Sequence, residues 1–264
     1  MPTPAPEPHQ VREVAESFGT DAERYDRTRP HYPDAMVKAI VEASPGSDVL
    51  DVGCGTGIAA RQFRAAGCTV LGVDVDARMA DLARRAGIEV EVAKFENWDP
   101  ADRTFDAVVA GQTWHWVDPV AGAAAAARVL RPGGRLALFW NSSQTPPGAT
   151  DAFAEVYRKA LPDLPPLFDP KSAAAGYGKF LETASDGLAQ AGGFGPTEEW
   201  TFDREQHYTR DEYLDVVPTS GIWGRIPPAD QQALLTGLGA AIDGLGGGLT
   251  VRYTAVVLTA ARTD

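Results

Sequence analysis

The chain has 264 residues and carries 24 Lys+Arg against 36 Asp+Glu, a formal charge of −12. At 44% apolar and 23% charged it is an ordinary globular composition, long enough for one large α/β domain or a domain with an inserted subdomain. The acidic balance argues against nucleic acid, whose phosphates need clustered Lys and Arg, and against an anionic membrane surface.

Residues 1–10 are Pro-rich and read as disordered. A polar segment, Val14–Pro33, follows and contains ERYDRTRPHYP. From Asp48 the pattern becomes regular. Val49–Val52 is a short apolar run that ends in glycines, as a buried strand does. Thr56–Ala66 suits a helix, Thr69–Val73 a second strand ending at Asp74, and Asp76–Ala86 a second helix opened by an acidic cap. Strands follow at Glu89–Val92 and Phe105–Val109, then a helix at Val117–Leu130 closed by a turn, Arg131–Gly134, and a fifth strand at Arg135–Trp140.

Strands alternating with helices imply a parallel sheet. The period breaks at Ser142, and the Pro-, Gly- and Ala-rich stretch to Pro196 reads as an insertion or lid, with helical pieces near Asp151–Leu161 and Gly178–Ala191. Thr197–Tyr208 looks like a strand, Thr209–Val217 and Ala229–Leu245 like helices, and the alternating, β-branched Thr250–Ala261 like the last strand. The expected organisation is a gate segment (1–47), a ligand-binding core (48–141), a lid (142–196) and a C-terminal part of the core sheet (197–264).

The chemistry centres on VLDVGCGTG, Val49 to Gly57, where a strand feeds a glycine loop that opens a helix. Glycines allow the tight turn and let a ligand approach the backbone, and the helix start offers free N–H groups. The dinucleotide fingerprint GxGxxG fails, because Ile58 stands where its third small residue belongs. The Gly-Lys-Ser/Thr of a P-loop is missing. The spacing is GxGxG, from Gly53 through Gly55 to Gly57, with Asp51 beside it. That carboxylate repels a pyrophosphate and suits a cationic ligand with an amino group and no phosphate, a description that S-adenosylmethionine fits.

DVGCGTG resembles motif I of the class I S-adenosylmethionine-dependent methyltransferases. The resemblance implies a Rossmann-like, seven-stranded, mostly parallel sheet flanked by helices, with the lid after strand five. Asp74, at the end of the second strand, is where the family accepts both ribose hydroxyls. Ala93-Lys94-Phe95-Glu96 looks like the adenine-side segment, and Arg128–Leu138 like the family's turn into strand five. FGTDAERYDRTRPHYP and GQTWHWVDP are similar to small-molecule methyltransferases that include trans-aconitate and actinobacterial natural-product enzymes. By that likeness Tyr25 and Arg29 close over the methionine part of the cofactor, with Arg29 the partner of its carboxylate. The full cofactor set implied is Tyr25, Arg29, Asp51, Gly53, Cys54, Gly55, Asp74, Val75, Met79, Phe95, Glu96 and Gln112. Read alone, Cys54 is a small residue that fits the turn, Arg29 a surface charge and Phe95 a core residue. The likeness fades after Trp140 and carries no substrate with it.

His115, flanked by Trp114 and Trp116, falls after the fourth strand, at the sheet edge where ligands bind. It is a candidate general base or substrate donor, with Tyr25 the second catalytic candidate. Trp114, Trp116, Trp140, Trp200 and Trp223 are candidates for an aromatic acceptor pocket, with Ser220 of the Thr219-Ser220-Gly221 corner beside them. No His, Cys, Asp or Glu cluster has metal spacing, so no metal is expected. Two cysteines, Cys54 and Cys68, make no disulfide framework and suit a cytoplasmic protein, and MPTPAPEPHQ lacks signal-peptide character. The reading is therefore an enzyme that methylates a small, aromatic metabolite on O, N or C, indole C3 included, as a monomer or homodimer without nucleic-acid or membrane partners. A carboxylate methyl ester-forming enzyme of the trans-aconitate type, a cofactor-binding protein without transfer and a dehydrogenase are the alternatives. Ile58 and Asp51 count against the last.

Overall fold

The computed structural model describes residues 18–162 and 170–263. The Pro-rich start, residues 14–17 of the polar segment and residues 163–169 of the expected lid lie outside them. Seven strands form one sheet: β1 (Asp48–Val52), β2 (Thr69–Asp74), β3 (Glu89–Val92), β4 (Phe105–Gly111), β5 (Leu130–Gln144), β6 (Glu198–Thr209) and β7 (Gly248–Ala261). Their order is β3-β2-β1-β4-β5-β7-β6, parallel as far as β5 and antiparallel for β7 against both β5 and β6. The strand order reverses between β1 and β4, which leaves a crevice at their carboxyl ends.

The inner strands read as unbroken apolar runs because helices cover both of their faces. One face, through Leu50, Val108 and Leu138, packs on α5 (Pro119–Val129) and on Ala184 and Leu188 of α7 (Pro170–Ala191). The other, through Val49, Val109 and Phe139, packs on α2 (Asp34–Glu42), α3 (Ile58–Ala65) and α4 (Ala77–Arg85). A third cluster joins α6 (Pro147–Ala160), α8 (Arg210–Val216) and α9 (Pro228–Gly244) to Leu249, Val251 and Tyr253 at the start of β7. Helix α1 (Ala22–Thr28) precedes them all.

Local signals set the helix ends. Asp76 caps α4 by accepting from Arg78 N–H at 2.9 Å, and Asp118 caps α5 ahead of Pro119 by accepting from Val120 and Ala121 N–H. Thr209 and Glu212 close a capping box on α8.

Two expectations for the fifth strand change. The turn expected at Arg131–Gly134 lies within β5: Phe105 pairs with Leu130 and Ala107 with Arg135, so the extra residues bulge out of the ladder. Gly133, at φ +75°, supplies the left-handed conformation that the bulge needs. The fifth strand also runs past Trp140 to Gln144, because β7 pairs with it from Arg135 to Gln144. The segment 142–196 divides in two. Helix α6 belongs to the third cluster, while the C-terminal half of α7 is a packed layer of the sheet.

Candidate active site

A cavity of about 490 Å³ opens at the crevice between β1 and β4. Its floor is the glycine loop. Gly53 and Gly55 take φ of +63° and +55°, a region costly for side-chain-bearing residues. A Cβ on Gly53 would also fall 2.0 Å from the Thr113 methyl. Thr113 ties the floor to the turn after β4, its hydroxyl lying 3.1 Å from Gly53 O and 3.1 Å from Gly111 O. Gln112, beside it, holds a positive φ of +57°, the kind of strain that collects at functional sites.

Two carboxylates face this floor. Asp74 accepts from Gly55 N–H at 2.7 Å and from Asp76 N–H at 2.8 Å, so it anchors the loop while lining the cavity. Asp51 is 1% exposed, and its Oδ2 has no hydrogen-bond partner among the described residues. Burial, with the nearby Asp74 charge added, pushes the Asp51 carboxyl up to about 8. A buried carboxylate oxygen without a donor is costly unless a ligand supplies one.

Helix α1 forms one wall. Tyr25 and Arg29 both line the cavity, with the guanidinium 5.0 Å from the Tyr25 ring centre. No carboxylate pairs with Arg29 among the described residues. The helix is held from outside, where Arg24 and Arg27 both pair with Asp215 of α8, at 3.1 and 2.7 Å.

A methyltransferase-domain family profile matches residues 50–138. An uncharacterized methyltransferase of Mycobacterium tuberculosis is 40% identical over 134 residues, 50% of this chain and 54% of that protein. The chain thus spans about half the length of that relative. A demethylmenaquinone methyltransferase of Tropheryma whipplei is 32% identical over 184 residues, 62% of this chain and 74% of its own. The chain belongs to the class I S-adenosylmethionine-dependent methyltransferases. The fold agrees: a putative type II methyltransferase from Anaeromyxobacter dehalogenans superposes with a TM-score of 0.66 at 23% identity, over 89% of this chain and 99% of that one.

Every cofactor candidate lines the one cavity, from Tyr25 and Arg29 through the glycine loop, Asp74, Val75 and Met79 to Phe95, Glu96 and Gln112. Cys54 does so as a packing residue, its sulfur lying over Gly72 of β2. Phe95 is buried against Trp98 and also edges the cavity.

The acceptor candidates divide. His115, Trp116 and Ser220 line the cavity. Trp114 and Trp140 do not: they are 2% and 1% exposed in the core beneath α5 and α7, where their large apolar rings fill volume. Trp200 lies on the edge strand β6 under Arg135, and Trp223 packs against the third cluster. Tyrosines take the place expected of tryptophans. Tyr157 of α6, Tyr177 of α7, Tyr213 of α8 and Tyr253 of β7 surround the far end of the cavity, with Asn141 and Ser143 from the extended end of β5 and Thr145 just beyond it. Burial raises the Tyr157 phenol to about 12 and pushes Tyr213 and Tyr253 higher. Tyr253 and Tyr208 share a hydroxyl–hydroxyl bond of 2.8 Å, and Tyr177 donates to Asn141 O at 2.9 Å. The sequence cue was the β-branched alternation of β7, which puts every second residue, Val251 and Tyr253 among them, on one face.

His115 is not placed as a base. Its Nδ1 accepts the Trp140 indole N–H at 3.2 Å, and burial depresses its pKa to about 4. Neither feature suits a group that must take up a proton. Among the described residues there is no cluster that could hold a metal ion, and no helix is long and apolar enough to cross a membrane.

Proposed function

We propose that this chain transfers a methyl group from S-adenosylmethionine to a small, uncharged, aromatic or quinone-like acceptor. The observation that carries the cofactor assignment is Asp51 Oδ2, a buried acceptor atom at the floor of the cavity without a partner among the described residues. An amino group is the complement it lacks. Arg29, with no carboxylate partner among the described residues, suits the acid end of the same ligand, and Asp74 its ribose. When bound, the cofactor supplies an electrophilic methyl on a sulfonium. This chain's part is to hold donor and acceptor in line and away from water.

Charge at the far end supports an uncharged acceptor. Tyr157, Tyr177, Tyr213, Tyr253, Asn141, Ser143, Thr145 and Ser220 present hydroxyls and an amide but no cation or carboxylate. A polycarboxylate acceptor of the trans-aconitate type would meet only Arg29 there, which the cofactor engages. The demethylmenaquinone methyltransferase relative adds support for a quinone-type ring. The test is incubation with methyl-labelled cofactor and a panel of phenols, indoles, quinols and polycarboxylates. Label in a neutral ring compound supports the reading. Label only in polycarboxylates, or in protein or RNA, overturns it.

A further inference from the structure

Trp140, near the middle of β5, and His115, in the turn after β4, meet at one hydrogen bond. The indole N–H of Trp140 lies 3.2 Å from His115 Nδ1. An indole nitrogen gives a hydrogen and offers no lone pair, so Nδ1 must be the bare nitrogen of the imidazole. A neutral imidazole then carries its single proton on Nε2. Trp140 has no freedom to turn away, since it is 1% exposed and enclosed by the core under α7. Phe180 of α7 stacks on the imidazole at 4.6 Å with 9° between planes, and the Trp116 ring lies 4.7 Å from it. These contacts fix the ring plane as well as the tautomer. Nε2 has no protein partner among the described residues, and the ring lines the cavity.

We infer that His115 presents a permanent Nε2–H donor to the acceptor end of the cavity, with Trp140 the positioning residue that sets its tautomer. Burial independently keeps the ring neutral, and no charged side chain contributes to that effect. The rings packed on it, Trp116, Trp140 and Phe180, do not titrate. The inference rests on the methyl-transfer reading only for what the donor meets. In that setting it selects acceptors with an oxygen lone pair at this point, such as a carbonyl or ring oxygen, and disfavours those that present an N–H.

Nitrogen-15 NMR of the histidine side chains in the full chain tests it, with His115→Gln identifying the His115 signals. The expected spectrum has an unprotonated Nδ1 and a protonated Nε2 that stay unchanged between about pH 8 and about pH 5.5. Trp140→Phe should release the ring into a mixture of tautomers. A protonated Nδ1, or a cationic ring at about pH 6, would overturn the proposal. If Trp140→Phe fails to fold, the wild-type spectrum alone decides. The measurement uses neither acceptor nor turnover. A failure to bind cofactor would therefore sink the methyl-transfer reading and leave the tautomer result standing.

Discussion

Asp51, one residue before the end of β1, and Asp74, which ends β2, face one cavity, yet among the described residues Asp74 has both oxygens engaged by backbone N–H groups and Asp51 does not. The unmatched oxygen gives Asp51 a testable proton linkage. Its carboxyl is raised from 3.8 to about 8, so the unliganded chain gains stability from protonation at low pH and loses it as pH rises toward about 8. A cationic amino group reverses this by favouring the carboxylate. Below about 8, binding of S-adenosylhomocysteine should release a proton, and affinity should rise by up to about tenfold per pH unit before levelling. Calorimetry at about pH 7 in two buffers of different protonation heat measures the release. Asp51→Asn should abolish it, and equal release in both proteins would place the proton elsewhere.

The glycine loop should tolerate no side chain at Gly53. An alanine there combines a φ of +63° with a 2.0 Å approach to the Thr113 methyl. Gly53→Ala should lower affinity for S-adenosylhomocysteine by about tenfold or more, the effect of roughly 1–3 kcal/mol of backbone strain. Unchanged affinity would mean that the loop does not form the ligand floor.

Trp140 should behave as a core residue. Trp140→Ala should destabilise the chain by about 3–5 kcal/mol, read from the midpoint of urea unfolding. A loss below about 1 kcal/mol would return Trp140 to the cavity wall that the sequence suggested.

The Arg24 and Arg27 pairs with Asp215 join α1 to α8 outside the cavity. Residues 14–33 are proposed as a cofactor-ordered gate, of which 18–33 are described. Trypsin should cut after Arg24 or Arg27 more slowly when S-adenosylhomocysteine is present. Asp215→Ala should speed the cut in the unliganded chain, by a modest factor because exposed ion pairs contribute about 0–1 kcal/mol. Protection that ignores the cofactor would count against a gate.

The cofactor half of the site was legible because its determinants are local. The glycine spacing, Asp51 and Asp74 are fixed by the strand-to-helix turns in which they stand, and a single stretch of sequence shows them. The acceptor half was not. Tyr157, Tyr177, Tyr213 and Tyr253 come from four elements, brought together by the antiparallel return of β7 beside β5. No local pattern marks that. The tryptophans misled for the opposite reason, since falling near a loop in the sequence does not say which side of the sheet a ring enters. Trp114 and Trp140 turn inward while His115 turns to the cavity. The bulge at Arg131–Gly134 was hidden because Pro-Gly-Gly marks a turn equally well when it lies inside a ladder.

The central claim is that this cavity holds S-adenosylmethionine through Asp51, Asp74 and Arg29, and calorimetric titration of S-adenosylhomocysteine into wild type and Asp74→Ala tests it most directly. Asp74→Ala removes the proposed ribose acceptor and the anchor of Gly55 N–H together, a loss of roughly 1–3 kcal/mol or more. The expected result is one site per chain in wild type and an affinity at least about tenfold weaker in the variant. No binding to wild type, or equal affinity in the two proteins, would contradict the account.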